Sequence, residues 1–356
     1  MFKKKNFWTG KKVFITGHTG FKGSWLSIWL KMLGAKVYGY SLSPPTKPSI
    51  YKLTNLGQYI DKSYIGNIQN IQSLKKAISR NRPEILFHLA AQPSVRVSYK
   101  RSLETIKTNI VGTSNLLEII KNQDSLRSVV IVATDKVYEN DEKKISFKEY
   151  HKLGGKDIYS ASKAASEIIV NAYRDSFFLN KKNFIASVRS GNVIGGGDWT
   201  KDRIVPDCLN AFVKNNKLII RYPNSVRPFQ HVLEPIYGYM KLAENLYKKR
   251  SIFAQAWNFG PTKKNTTTVI ELAKRIKKIM NSSSKIIISK KKYFHEAGYL
   301  SLDSTKSKKF LNWKKFLNLD EALKFTVDWF YDYKNKKDLR KTCIKKIKSF
   351  TKIING

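Results

Sequence analysis

The sequence predicts an α/β fold, a doubly wound parallel sheet with a smaller, partly interleaved carboxyl-terminal lobe. Three observations carry this. Short apolar runs alternate with helical patterns through the first half of the 356 residues, a glycine-rich loop follows the first run, and the alternation stops after Gly191. Such alternation builds βαβ units, whose right-handed crossovers place helices on both faces of a parallel sheet.

Residues 13–16 (VFIT) read as a buried strand, followed by a helix over 20–32 and, after Gly34, a second strand over 36–40. Prolines in SPPTKPS (43–49) remove donors and bar a helix, so this stretch is a loop. A short third strand at 64–65 precedes a helix over 73–80, and ILFHLA (85–90) is the fourth strand. Helical spacing then covers 103–121, SVVIVA (128–133) is the fifth strand, 159–176 is a helix and 184–188 the sixth strand. GNVIGGGDW (191–199) is a glycine-rich loop, and beyond it helices, short strands and Arg-rich loops mix. The expected division is one domain over 1–191, with 232–262 returning to it. Residues 192–356 are then mainly a second lobe over the sheet's carboxyl edge, ending from about Lys334 in a lysine-rich surface helix or frayed tail.

Composition narrows the class. Forty-two per cent apolar and 12% aromatic residues are enough for a packed core, which excludes wholesale disorder. No apolar run approaches about eighteen residues, and the basic start MFKKKNFWTGKKVFITG leads into no cleavage site. A soluble, cytoplasmic protein without a membrane partner is expected. Cys208 and Cys343 cannot make a disulfide framework and lack zinc-site spacing. The 67 Lys and Arg against 26 acidic residues give a net charge of +41, the footprint a nucleic-acid binder would leave. The lysines, however, form short clusters in every region (3–5, 143–144, 290–292, 345–346) and no single stripe. A solvated surface with no nucleic-acid partner is the better reading, one that still attracts an anionic substrate.

The loop TGHTGFKG (16–23) has a strand before it, a helix after it and a second strand beyond, the context of a Rossmann dinucleotide site as against a plain turn. Gly17 makes the tight turn, Gly20 permits close approach to a pyrophosphate, and Gly23 lets helix pack on strand. The acidic residue customary after the second strand is missing from YGYSLS (38–43), and so is an arginine for a 2′-phosphate. NAD is therefore the expected cofactor, held without the usual carboxylate.

Tyr159 and Lys163 stand four apart on one helix face, where an ammonium favours the phenolate that a general base for a sugar hydroxyl needs. Thr134, Asp135 and Lys136 follow the fifth strand, at the edge where open α/β sheets bind ligands. Alone, Asp135 and Lys136 read as a solvated turn. Beside Tyr159 and Lys163 they become an acid and a base for eliminating water. The five histidines (18, 88, 151, 231 and 295) lack metal-ligand spacing, so no metal is expected, and His88 reads as a satisfied core residue. Arg203, Arg221 and Arg227 flank the lobe, and one or two of them suit a diphosphate.

The G-x-x-G-x-x-G loop resembles those of the extended short-chain dehydrogenases/reductases. With LAAQPSVRVSY, TDKVY, YSASKAASE, GNVIGGGDW, RPFQHVLEP, WNFGP and HEAGYL, the chain resembles the CDP-glucose 4,6-dehydratases within that family, from about Trp8 to Trp313. His18 and Lys22 in the loop, and Lys136 where dTDP-glucose dehydratases carry Glu, belong to that resemblance. It implies NAD, a nucleotide-sugar lobe, and a homodimer or homotetramer built on paired helices. It also implies conversion of CDP-glucose to CDP-4-keto-6-deoxyglucose, the entry to dideoxysugars of surface polysaccharides. In this frame Tyr159 is the base for C4 oxidation, tuned by Lys163, and Thr134 bonds the 4-hydroxyl. Asp135 is the acid at the C6 hydroxyl and Lys136 the base at C5. The cofactor would meet Gly17, His18, Gly20, Phe21, Lys22 and Gly23 in the loop. Beyond the loop it would meet Asn67, Ile68, Leu89, Ala90 and Ala91, then Tyr159 and Lys163. The substrate would meet Asn192, Arg203, Arg221, Arg227, Gln230 and His231. The family also lacks the acid after the second strand. Asn67 departs from a usual Asp near adenine, and Ala133 from a usual Thr. Another nucleotide-sugar dehydratase or a 4-epimerase is the runner-up, although an epimerase has no need of Asp135 and Lys136.

Overall fold

A computed structural model describes residues 6–178, 184–261, 266–291 and 297–356. The lysine cluster at 3–5, Lys292 and His295 lie outside the described residues. Six strands follow the expected order: β1 (Lys12–Thr16), β2 (Lys36–Ser41), β3 (Lys62–Ile65), β4 (Ile85–His88), β5 (Ser128–Val132) and β6 (Phe184–Ser190). With Ala256–Phe259 on the outside of β6 they form a seven-stranded sheet, ordered Ala256–Phe259, β6, β5, β4, β1, β2, β3, with every pair parallel. The doubly wound parallel sheet read from the sequence is the fold.

Alternation within the strands explains the two-faced core. Val13, Ile15, Ile85, Phe87, Val130 and Val132 face one side, where Leu26 and Leu30 of helix Phe21–Met32 pack with Ile236 and Leu246 of helix Leu233–Lys249. Phe14, Leu86, Val129, Ile131 and Ile185 face the other, against Leu74, Ile78, Leu116, Leu117 and Val170. Strands buried on both faces read as continuous apolar runs, the pattern that signalled them. The sheet order reverses between β1 and β4, opening a crevice at their carboxyl ends.

Two elements differ from the sequence expectation. The helix expected over 103–121 is three pieces: Ser102–Ile106, a π-helical turn Lys107–Val111, and Gly112–Ile120. The π turn aims Asn109 at helix Ile158–Tyr173, where its amide donates to Ser162 Oγ at 2.9 Å. The second difference lies within the tail: of the two expected forms it takes the helix, but one that is docked. Residues Leu339–Asn355 form a docked helix whose Leu339, Cys343, Ile347 and Phe350 are buried. Asp338 caps it, accepting from the N–H groups of Arg340 and Lys341 at 3.0 and 3.1 Å. Its lysines occupy the remaining face, and they hid an apolar stripe at helical spacing.

Phe350 stands edge-on to Trp29 (5.9 Å), Phe316 (6.0 Å) and Tyr237 (6.5 Å). Phe350→Ala should therefore cost about 3–5 kcal/mol in urea unfolding, and Lys348→Ala on the exposed face less than about 0.5 kcal/mol. Equal effects of the two would return the segment to a frayed tail.

Candidate active site

The site begins where β1 ends. Gly17 takes φ +80 and donates its N–H to the Tyr40 carbonyl at 2.9 Å. A Cβ on Gly17 would stand 2.7 Å from the Ala90 nitrogen, and one on Gly23 would stand 2.1 Å from the Gly17 oxygen. Only hydrogen fits at either place. Helix Phe21–Met32 starts at Gly20 with neither a side-chain cap nor an acid in its first turn. Its orphan N–H groups and the positive end of its dipole thus serve the cavity, a cradle that fits a dinucleotide pyrophosphate.

One cavity of about 580 Å³ runs from this cradle over the carboxyl ends of the strands to the second lobe. It collects most of the residues expected from sequence. Gly17, Gly20, Phe21, Lys22 and Gly23 line it, as do Asn67, Ile68, Leu89, Ala90 and Ala91. Thr134, Lys136, Tyr159 and Lys163 form its floor, and Asn192, Arg203, Arg221 and Arg227 come from the lobe. Asn67 uses its side-chain oxygen to accept from the Gln69 N–H at 2.9 Å.

Three expected contacts face elsewhere. The His18 ring is buried against Tyr51 and shares a 2.7 Å hydrogen bond through Nε2 with Ser63 Oγ. Burial pulls it down to about 4, so it is a neutral packing group and not a side chain of the cavity wall. Gln230 is fully buried and donates to the Phe259 carbonyl at 2.7 Å. His231 packs its ring between Trp25 and Phe325. The resemblance over RPFQHVLEP suggested the last two, but both side chains are buried where Gln230–His231 pairs in parallel with Val193–Ile194. His88 is the satisfied core residue expected, bonded to Thr16 and Thr113 hydroxyls at 2.7 and 3.1 Å.

The reactive groups sit on two short segments. Asp135 is buried just behind Thr134 and Lys136. Its Oδ1 accepts from Thr134 Oγ1 and from Lys136 Nζ, each at 3.0 Å, and its Oδ2 has no hydrogen-bond donor among the described residues. Tyr159 and Lys163 come from helix Ile158–Tyr173, capped by Asp157 through the Ser160 N–H at 3.0 Å. Here the expected electrostatics need correction. Burial lifts the Tyr159 phenol to about 12, and the neighbours drawing it down are Thr134 and Arg203. Lys163 donates to the Val132 carbonyl at 3.0 Å and is itself pulled to about 8 by burial, with Glu167 opposing. Lys22 donates to Ser190 Oγ at 3.0 Å and falls to about 7, through burial and then the charge of Arg203.

Sequence reasoning missed Thr19, Ser41, Ser43, Arg96, Tyr222 and Asp207, all of which line the cavity. Arg96 lay inside the motif LAAQPSVRVSY, and Ser41 and Ser43 stand where an acid was sought. Tyr222 and Asp207 carried no local signal.

Fold and site together define an extended short-chain dehydrogenase/reductase. The family model described as GDP-mannose 4,6 dehydratase matches residues 14–326, and the chain belongs to that family. It is 44% identical over 331 residues to the CDP-glucose 4,6-dehydratase of Salmonella typhimurium, covering 91% of this chain and 92% of that one. Its fold is similar to dTDP-glucose 4,6-dehydratase from Bacillus anthracis in complex with NAD, with a TM-score of 0.77, 21% identity, and 93% of this chain and 100% of that one covered. It is also similar to UDP-glucose 4-epimerase from Thermotoga maritima with UDP-glucose, with a TM-score of 0.79, 24% identity, and 90% of this chain and 99% of that one covered.

A buried ammonium at about 8, against 10.5 for an ordinary lysine, binds its proton less firmly folded than unfolded. The unfolded chain then holds more protons between those values, so stability rises with pH across that window and the cost is complete below it. Lys163→Met should stabilise the protein near pH 7 by about 1–3 kcal/mol, an advantage that shrinks towards about pH 10. Denaturant melts at both pH values test this, and a variant less stable at the lower pH would contradict it.

Proposed function

We propose that this chain is an NAD-dependent CDP-glucose 4,6-dehydratase, a hydro-lyase yielding CDP-4-keto-6-deoxyglucose and water for dideoxysugars of surface polysaccharides. The observation that carries it is Lys136 beside Tyr159 on the floor of one cavity, with Asp135 buried directly behind and paired to Lys136 at 3.0 Å. A 4-epimerase needs Tyr159 but has no use for the pair. Similarity to the Salmonella CDP-glucose 4,6-dehydratase supports the same reading.

In this reading residues 1–191 with 232–262 hold the cofactor, and 192–356 supply most of the sugar-nucleotide lobe. The loop glycines and the start of helix Phe21–Met32 hold the pyrophosphate. NAD, when bound, supplies the acceptor that takes hydride from C4 and gives it back at C6. Tyr159 takes the proton of the C4 hydroxyl, with Thr134 and Arg203 as the neighbours that favour its phenolate.

The pair then handles elimination. Asp135 and Lys136 share one proton across their 3.0 Å contact. The elimination starts with that proton on Asp135, so that the pair is an acid and a neutral amine. Asp135 gives its proton to the leaving C6 hydroxyl while Lys136 takes the C5 proton. That leaves a carboxylate and an ammonium; as hydride returns to C6, Lys136 gives its proton to C5, and the proton that Tyr159 took from the C4 hydroxyl restores Asp135. No outside acid or base is needed.

The enzyme acts in the cytoplasm as a homodimer or homotetramer. Leu103 and Ile168, 61% and 54% exposed, give the helices around Tyr159 an apolar outer face suited to pairing.

Tyr159→Phe should lower C4 oxidation by about 10²–10⁴-fold. Asp135→Asn should instead oxidise C4 and stall, so mass spectrometry of quenched reactions should find the oxidised, undehydrated sugar and a comparable loss of 6-deoxy product. Normal 6-deoxy product from Asp135→Asn would leave the pair as a turn and favour an epimerase.

A further inference from the structure

The lobe end of the cavity holds a carboxylate that the chemistry above does not use. Asp207 lies in the first turn of helix Ile204–Val213 and lines the cavity. The other acids along this wall are engaged. Asp198 accepts from Arg203 at 2.9 Å and from the Thr200 N–H at 3.1 Å. Asp202 accepts from Arg221 at 2.8 Å and also pairs with Arg96. Asp207 feels Arg221, Asp202, Asp198 and Arg96 only through charge, and among the described residues no N–H or O–H donates to its carboxylate.

Its place along the cavity is informative. Arg203 stands close enough to Tyr159 to influence its ionisation, and its carbonyl accepts the Asp207 N–H at 3.1 Å, which sets Asp207 one helical turn along from Arg203. Arg221, whose charge reaches Asp207, lines the same cavity, as do the apolar and aromatic side chains Leu209, Ile219, Tyr222 and Val269. This set of groups offers arginines for a diphosphate and apolar side chains for a flat ring in one cavity with the reactive floor.

We propose that Asp207 reads the exocyclic amine of the nucleotide base and so selects a cytosine nucleotide over its uracil and thymine counterparts. This rests on the dehydratase reading of the same cavity. Burial lifts the carboxyl to about 6, which leaves it ionised near pH 7 and able only to accept. Cytosine presents an amine at C4, a donor; thymine and uracil present a carbonyl there, a second acceptor. An acceptor facing an acceptor leaves both desolvated without a bond, the arrangement that discriminates most strongly.

The test measures CDP and UDP binding by calorimetry, and turnover of CDP-glucose and UDP-glucose, for the wild type, Asp207→Asn and Asp207→Ser. Asn keeps the shape and can turn its NH₂ towards a carbonyl. The wild type should prefer CDP, and Asp207→Asn should lower that preference about 10- to 100-fold by losing CDP affinity and gaining UDP affinity. Asp207→Ser should lose CDP affinity without the gain, and thermal melts verify that both variants fold. A wild type without preference, or an unchanged preference in both variants, overturns the role of Asp207. If the wild type prefers CDP but turns over neither sugar, the dehydratase reading fails, while the binding ratios still decide Asp207.

Discussion

The geometry of the reactive groups hangs on one buried ion pair. Arg189 of β6 grips the Glu167 carboxylate through Nε at 2.8 and 2.9 Å, and both side chains are almost wholly buried. Glu167 lies one turn beyond Lys163 on helix Ile158–Tyr173 and also accepts from Ser187 Oγ at 2.7 Å. The same guanidinium donates to the Tyr138 hydroxyl at 2.7 Å, and that hydroxyl donates to Asn258 at 2.7 Å. Tyr138 closes the turn Asp135–Val137. One arginine therefore ties the helix of Tyr159 and Lys163 and the turn of Asp135 and Lys136 to the same point on the sheet. Removing one partner of such a pair typically costs about 3–5 kcal/mol, because the other charge is left buried alone. Here it would also loosen two halves of one site.

Electrostatics at the floor follow from that scaffold. Burial, with repulsion from Arg203, Lys163 and Lys136 against the attraction of Asp135, pulls Lys22 down to about 7; burial alone pulls Lys163 to about 8. Cations held this way are costly to the fold and are relieved by anions, since whatever binds only the folded state stabilises it. The general positive charge of the chain brings anionic ligands close. The buried cluster, and not the scattered surface lysines, is where that charge has chemical consequence.

The sheet was legible because strands buried on both faces leave apolar runs, and the loop because glycine is forced wherever two backbones touch. Tyr159 and Lys163 were legible because a helix fixes their spacing. What escaped depends on tertiary packing. Lysines on one face of Leu339–Asn355 masked the stripe of Leu339, Cys343, Ile347 and Phe350 that docks it. The π turn at Lys107–Val111 has no sequence rule, and its use shows only when Asn109 meets Ser162. Gln230 and His231 pointed the wrong way because a two-residue strand sets their facing, and no period can be read from two residues. The lowering of the Tyr159 phenol by Lys163 was inferred from spacing alone, whereas depth of burial decides the sign.

The unusual loop and the missing acid after β2 have a common cause. Gly39 lacks a Cβ, and the His18 ring fills that place, its Cγ 2.3 Å from where a Cβ would be. The ring reaches Ser63 on β3 and so locks the glycine loop to both outer strands. At the end of β2, Thr19 bonds Ser41 Oγ at 2.8 Å and donates to the Leu42 carbonyl at 2.9 Å. The corner that would hold a ribose is thus lined by Thr19, Ser41, Leu42, Ser43 and Pro45, hydroxyls and apolar groups in place of a carboxylate. Neutral hydroxyls bond a ribose more weakly than a carboxylate does, so most of the affinity for a dinucleotide must come from the pyrophosphate cradle. Discrimination cannot come from repelling a 2′-phosphate, since no acid is there to repel it. It would come instead from offering that phosphate no partner, since none of the described residues that line this corner is cationic.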